Sequence, residues 1–102
     1  MVIELLYIAD CPGWALARKR LDEALAAVGR SDSVVRLRVV ETDEEARALG
    51  FPGSPTILLD GYDPFPSATR TDGLTCRVYA TPDGLAGAPT VAQLVRVLEG
   101  GA

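Results

Sequence analysis

The sequence contains no histidine in 102 residues. This absence excludes imidazole general bases, cysteine–histidine nucleophile pairs and most transition-metal sites. Cysteine is also scarce, since Cys11 and Cys76 are the only two, and Trp14 is the single tryptophan. The two thiols are therefore the first candidates for chemistry.

Long apolar runs and long charged runs are missing as well. No apolar run approaches the ~20 residues of a membrane helix, so we expect no membrane association. The N-terminal stretch carries Glu4 and Asp10 and no basic region, so we expect no signal peptide and a cytoplasmic location. The net charge is −4 and like charges run no further than residues 18–20 or 43–45. Such runs are too short for a nucleic-acid surface, so we expect no nucleic-acid partner.

The length and composition are those of one globular domain spanning residues 1–102. Apolar residues make up 48% and charged residues 24% of the chain, which is ordinary for a single core. In a reducing compartment, two cysteines are more typical of a chemical site than of a structural disulfide.

Hydrophobic periodicity predicts an alternation of strands and helices. We expect strands at 2–8, 34–40, 56–59 and 76–80 and helices at about 12–28, 42–50 and 90–98. The first strand is apolar on both faces, which suits the interior of a sheet, whereas Arg36 and Arg38 favour an edge position for the second. A right-handed crossover makes these two strands parallel neighbours. We expect the 76–80 strand to pair antiparallel with 56–59.

Two predicted helices begin at residues that can cap them, and one long segment lies between two predicted strands. Thr42 with Glu45, and Thr90 with Gln93, have the spacing of capping boxes. Residues 60–75 form a long segment without periodicity, which is often functional in so small a domain.

The segment Asp10-Cys11-Pro12-Gly13-Trp14 lies where the first strand gives way to the first helix. Pro12 suits the first helical position, which would place Cys11 at the N-cap. Unpaired N–H groups and the helix dipole favour a thiolate there. The alternative is that Cys11 is simply a small buried side chain.

These features together resemble the thioredoxin fold, a β-α-β-α-β-β-α chain with a mixed sheet of about four strands flanked by helices. Two segments carry the resemblance: residues 7–14, around Cys11, and residues 50–57, Gly-Phe-Pro-Gly-Ser-Pro-Thr-Ile. More narrowly, residues 76–79, Cys-Arg-Val-Tyr, and residues 87–90, Gly-Ala-Pro-Thr, are similar to the endings of small bacterial thioredoxin-like proteins with a single site cysteine. Some of these proteins are labelled as related to alkylmercury lyases. The resemblance implies that the Ser54–Pro55 bond is cis and packs beside a reactive Cys11.

One departure from thioredoxins matters for the mechanism. Thioredoxins use Cys-x-x-Cys, and here Trp14 stands in the second cysteine position. The remaining chemistry is that of one thiolate, which forms a mixed disulfide or is oxidised and then resolved from elsewhere. Cys76 is the candidate resolving thiol, although we expect its strand to start at the end of the sheet away from Cys11. The alternative is that Cys76 packs in or beside the sheet.

Other residues near the site have two interpretations each. Asp10 either orients a proton or ligand or is an ordinary turn residue. Trp14 either shapes a substrate pocket or belongs to the core. Arg77 either pairs with Asp10 or Asp60 or binds a ligand carboxylate, or it faces solvent, which we expect for an arginine in a short strand.

The sequence thus supports a thiol-dependent redox protein. Cys11 is the predicted nucleophile, Pro12 and Asp10 adjoin it, Ser54 and Pro55 hold a thiol substrate through backbone contacts, and Cys76 is the possible second thiol. The substrate is a small-molecule thiol or a protein thiol or disulfide, and we expect no cofactor and no bound metal. One alternative is a binding module without enzymatic activity. A weaker one is soft-metal or organomercurial handling by the two thiols.

Overall fold

The structure is a computed structural model that describes residues 1–65 and 73–100. Its elements follow an α/β order: β1 (Ile3–Tyr7), α1 (Gly13–Ala27), β2 (Val35–Val39), α2 (Asp43–Leu49), β3 (Thr56–Leu59), β4 (Tyr79–Thr81), β5 (Gly84–Ala86) and α3 (Val91–Leu98). They form a three-stranded mixed sheet, a separate two-stranded sheet and three helices.

The strand β1 lies at the centre of the larger sheet, in the order β2-β1-β3. It pairs parallel with β2, from Ile3 opposite Val35 to Tyr7 opposite Val39. It pairs antiparallel with β3, from Ile3 opposite Leu59 to Leu6 opposite Thr56. The predicted central position of the first strand, the parallel crossover and the edge position of the second strand are all confirmed.

Helices cover both faces of this sheet because alternate strand residues point to opposite sides. On one face, α1 and α3 pack over β1 and β3, and the buried side chains include Ile3, Leu5, Ile57, Leu21 and Leu94. On the other face, α2 contributes Ala46 to a smaller cluster with Leu6, Val40 and Phe51. The apolar character of β1 on both faces follows from these two clusters.

Side-chain caps begin two of the helices. Thr90 and Gln93 exchange both bonds of a capping box at α3, as predicted. At α2, Thr42 Oγ1 accepts from the Glu45 N–H at 3.1 Å. The Glu45 carboxylate, however, accepts from the backbone N–H of Glu41 and not of Thr42. The predicted N-cap is confirmed, while the return bond reaches one residue further back.

The prediction of a fourth strand in the main sheet is wrong. Residues 76–80 do not pair with 56–59; instead, β4 pairs antiparallel with β5 across a turn at Pro82 and Asp83. This partner follows at once in the chain, so the pairing closes a very short loop at little entropic cost. Cys76 makes only an isolated parallel bridge, to Ser54.

The predicted long segment 60–75 is described in part. Tyr62 bridges back to Leu59, and the Phe65 N–H donates to Asp63 Oδ1 at 2.8 Å. Residues 66–72 lie outside the described residues. No helix within residues 1–65 and 73–100 is long and apolar enough to cross a membrane.

Candidate functional site

The two cysteines are joined in a disulfide, although 65 positions separate them in the sequence. Their Cα atoms lie 6.1 Å apart, within the usual range for a disulfide. The expectation that Cys76 starts at the end of the sheet away from Cys11 is therefore wrong. The chain at Cys76 runs parallel to Ser54, just before β3 begins. This pairing brings Cys76 to the end of the sheet at which Cys11 lies.

The turn between β1 and α1 positions Cys11. Its backbone N–H donates to the Ile8 carbonyl at 3.0 Å. Pro12 is the N-cap of α1, with φ −67° and ψ −21°, and the helix begins at Gly13. Cys11 thus precedes the N-cap by one residue, so the prediction that Cys11 is the N-cap is wrong. The fixed φ of proline still directs the chain from Cys11 into the helix.

Ser54 connects the two arms of the chain that carry the cysteines. On one side, Ser54 Oγ accepts from the Ile8 N–H at 2.8 Å, three residues before Cys11. On the other, its backbone N–H donates to the Thr75 carbonyl at 2.9 Å, and its carbonyl accepts from the Arg77 N–H at 2.7 Å. The backbone groups that we assigned to a substrate are thus occupied by the protein's own chain, and Ser54 is buried.

The Ser54–Pro55 bond is cis. Pro55 is fully buried, and the hydroxyl of Tyr79 donates to its carbonyl at 2.5 Å. Burial raises the pKa of this phenol above its ordinary value; nearby Arg77 acts in the opposite direction and Asp63 in the same one. Tyr79 therefore remains a protonated donor beneath the site.

Arg77 points into the protein and not into solvent. Its side chain is 3% exposed, and Nη1 donates to Asp63 Oδ2 at 2.7 Å. Nη2 donates to the Phe65 carbonyl, and the guanidinium carbon lies 4.3 Å from the centre of the Tyr79 ring. The expectation of a solvent-facing arginine is wrong, and its partner is Asp63, not Asp10 or Asp60. A guanidinium can be buried here because a carboxylate, a carbonyl and an aromatic face surround it.

Trp14 and Asp10 lie on either side of Cys11 in the sequence. The Trp14 ring stacks on Tyr7, with 4.3 Å between ring centres, and packs against the core beneath α1. Trp14 is half-buried, so it contributes to the core while part of its side chain remains exposed. Asp10 is exposed in the turn before Cys11.

Three residues that hold the Cys76 arm were not predicted. Asp63 pairs with Arg77, Asp43 accepts from the Leu74 N–H at 3.1 Å, and Gly53 lies so close that an added Cβ would come within 2.9 Å of the Arg77 Cβ. Gly53 also has φ +123°, which only glycine adopts readily. The turn sequence Gly53-Ser54-Pro55 could have indicated the importance of Gly53. Nothing in the local sequence, by contrast, pairs Asp63 with Arg77.

The two halves of the disulfide differ in exposure. Cys11 is 5% exposed and belongs to the buried residues, whereas Cys76 is exposed. Exchange with an external thiol requires access to one sulfur of the bond, so the exposed residue of the pair is the relevant one. Within the described ranges, no three cysteine, aspartate or glutamate side chains are grouped so that they could hold a metal ion.

Comparison with known proteins gave no relative from which a function can be taken. No family model matches the chain, and neither a curated protein nor a solved structure matches it. Any functional conclusion must therefore be drawn from the geometry of the site.

Proposed function

We propose that the protein is a thiol–disulfide exchange protein of the thioredoxin-like class, in which Cys11 and Cys76 alternate between a dithiol and an intramolecular disulfide. The observation that carries the proposal is the bond between the chain's two cysteines, with one of them at the surface. The strand–helix turn that holds Cys11 is further support.

The reaction balances without a cofactor. The reduced protein transfers two electrons and two protons to a disulfide RSSR, which gives two thiols RSH and the Cys11–Cys76 disulfide. An external thiol, either a small molecule or a protein, reverses the reaction through a mixed disulfide. Cys76 thus takes the place of the second cysteine that the Cys11–Trp14 segment lacks.

The location expected from the sequence is consistent with a cycling pair. In the cytoplasm, glutathione and thioredoxin systems keep most thiols reduced, and a disulfide there is usually transient and catalytic or redox-sensing. A disulfide that fastens an exposed segment to the sheet edge can be reached by these reductants. We therefore interpret the bond as one state of a cycle.

Thiol counting in redox buffers tests the proposal. The native oxidised protein should gain two titratable thiols when treated with a small dithiol without denaturant, and should lose both again in a buffer of oxidised and reduced glutathione. Cys11→Ser and Cys76→Ser should each abolish the intramolecular step. A bond that is reduced only after unfolding would instead indicate a structural disulfide, and would favour the alternative of a binding module.

A further inference from the structure

The geometry points to Cys76, and not Cys11, as the sulfur that an external thiolate attacks, so that the mixed disulfide forms on Cys76 and Cys11 leaves as the thiolate. This assignment rests on the proposed exchange function and reverses the roles that the sequence suggested. It names the residue that takes the substrate and the residue that resolves it.

The two cysteine residues are unequally exposed. A thiolate must reach the sulfur that it attacks. Cys11 is 5% exposed and lies just before the N-terminal end of α1, which packs on the core. Residues 74–76 are exposed, and so is Val78 at 63%. An incoming thiol therefore meets Cys76 first, on a short stretch of chain whose neighbouring side chains Leu74 and Val78 would suit an apolar substituent on that thiol.

The leaving group also favours this direction. When Cys76 is attacked, the electron pair of the broken bond goes to Cys11, which precedes the Pro12 N-cap of α1. Within the described residues no side chain caps this helix, and its first turn contains no acidic residue. The positive end of its dipole therefore favours the anionic sulfur. Asp10 acts in the opposite sense, but it is exposed, and solvent and salt weaken its effect.

The modified Cys76 remains close to Cys11 during the exchange. Thr75 and Arg77 bond to Ser54 on both sides of Cys76, and the buried Arg77 side chain is held by Asp63. None of these contacts involves the sulfur that is attacked. The Cys11 thiolate thus faces the mixed disulfide at short range, and the resolving step is intramolecular.

The cycle can be written with every bond balanced. In reduction, RS⁻ attacks Cys76 Sγ, the S–S bond breaks and Cys11–S⁻ leaves; a second thiolate then displaces the RS group as RSSR, and the Cys76 thiol is restored after protonation. In oxidation, the same path runs backwards. The Cys76 thiolate attacks RSSR and releases RS⁻, and Cys11 then displaces the second RS⁻ to close the disulfide.

Peptide mapping of the wild-type protein distinguishes the two sulfurs. The oxidised protein is mixed with reduced glutathione, quenched with acid at short times and blocked with an alkylating agent. Trypsin then places Cys11 in residues 1–18 and Cys76 in residues 71–77. We expect the glutathione adduct on residues 71–77 to exceed that on residues 1–18 by about tenfold or more at the earliest times.

The control and the contrary outcomes are separate measurements. In urea the difference in access disappears, so the adduct should be shared between the two peptides. An adduct mainly on residues 1–18 in the native protein would overturn the assignment to Cys76 but leave the exchange function intact. A disulfide that a small dithiol does not reduce in the native protein, with no new thiol on either peptide, would overturn the exchange function itself.

Discussion

Arg77 Nη1 lies 2.7 Å from Asp63 Oδ2, and the pair is far from evenly buried: the arginine side chain is 3% exposed and the aspartate side chain 22%. The arginine also lies directly after Cys76 in the chain. Its burial therefore fixes the direction in which Cys76 faces, because neighbouring residues of an extended chain point to opposite sides. The ion pair thus positions the exposed half of the disulfide.

Asp63→Asn should destabilise the protein. The substitution leaves the buried guanidinium without its charged partner, and we expect the free energy of unfolding to fall by about 1.5–3 kcal/mol. Arg77→Met should also destabilise, but the double variant should lose less than the sum of the two single variants, because Asp63 matters mainly through Arg77. Urea unfolding of the oxidised proteins measures all three values.

An exposed ion pair provides the control for this cycle. Glu44 and Arg47 lie 3.7 Å apart on the surface of α2, and Glu44→Gln should change stability by no more than about 0.5 kcal/mol. If Asp63→Asn were equally mild, the ion pair would not be what holds Arg77 in place.

The pH dependence of stability should show the burial of Tyr79. Its pKa is raised in the folded protein by desolvation, whereas an unfolded tyrosine ionises near pH ~10. Above that pH the unfolded chain releases a proton that the folded protein keeps. The stabilising contribution is therefore complete below pH ~10 and decreases as the pH rises towards the folded pKa, by up to about 1.4 kcal/mol per pH unit.

Two conservative variants isolate this effect in urea unfolding of the oxidised protein between pH 9 and 11. Tyr79→Phe should be less stable at neutral pH, because the hydrogen bond to Pro55 is lost, but its stability should fall less steeply in alkali. Tyr62→Phe, at an exposed position, retains Tyr79. This variant should therefore keep the part of the alkaline loss of stability that comes from Tyr79. Equal slopes in the wild type and Tyr79→Phe would show that Tyr79 ionises alike in both states.

The disulfide should contribute strongly to stability because it closes a long loop. For a separation of 65 residues, the chain-entropy relation gives about 4 kcal/mol. We expect the reduced wild type, Cys11→Ser and Cys76→Ser to unfold at similarly low urea concentrations, well below the oxidised protein. A difference under about 1 kcal/mol would mean that reduced and oxidised chains are almost equally constrained before they unfold.

The sequence predicted the larger sheet better than the site. The apolar run around Leu5 and the alternation at Arg36 and Arg38 each reflect the strand's own burial, so local pattern was sufficient for the positions of β1 and β2. The placement of Cys76 depends on Asp63, Ser54 and Gly53, which are distant in the chain. Periodicity contains no information on such contacts, and it therefore put residues 76–80 in the wrong sheet.

The close approach of Gly13 to Gly87 provides a last test of how the Cys11 turn is held. A Cβ added at Gly13 would lie 2.7 Å from the Gly87 carbonyl oxygen, a backbone atom that cannot swing aside. Gly13→Ala must therefore shift the first turn of α1, and we expect a loss of about 1–3 kcal/mol, the usual cost of overpacking. Because Cys11 lies two residues earlier, this shift should also slow closure of the disulfide in oxidised glutathione, measured by quenched alkylation. Gly87→Ala is the matched control: its Cβ meets only the Gly13 Cα, at an ordinary 3.5 Å, so stability and closure should stay near those of the wild type. Equal effects of the two variants would show that the loss reflects glycine's backbone freedom and not the contact.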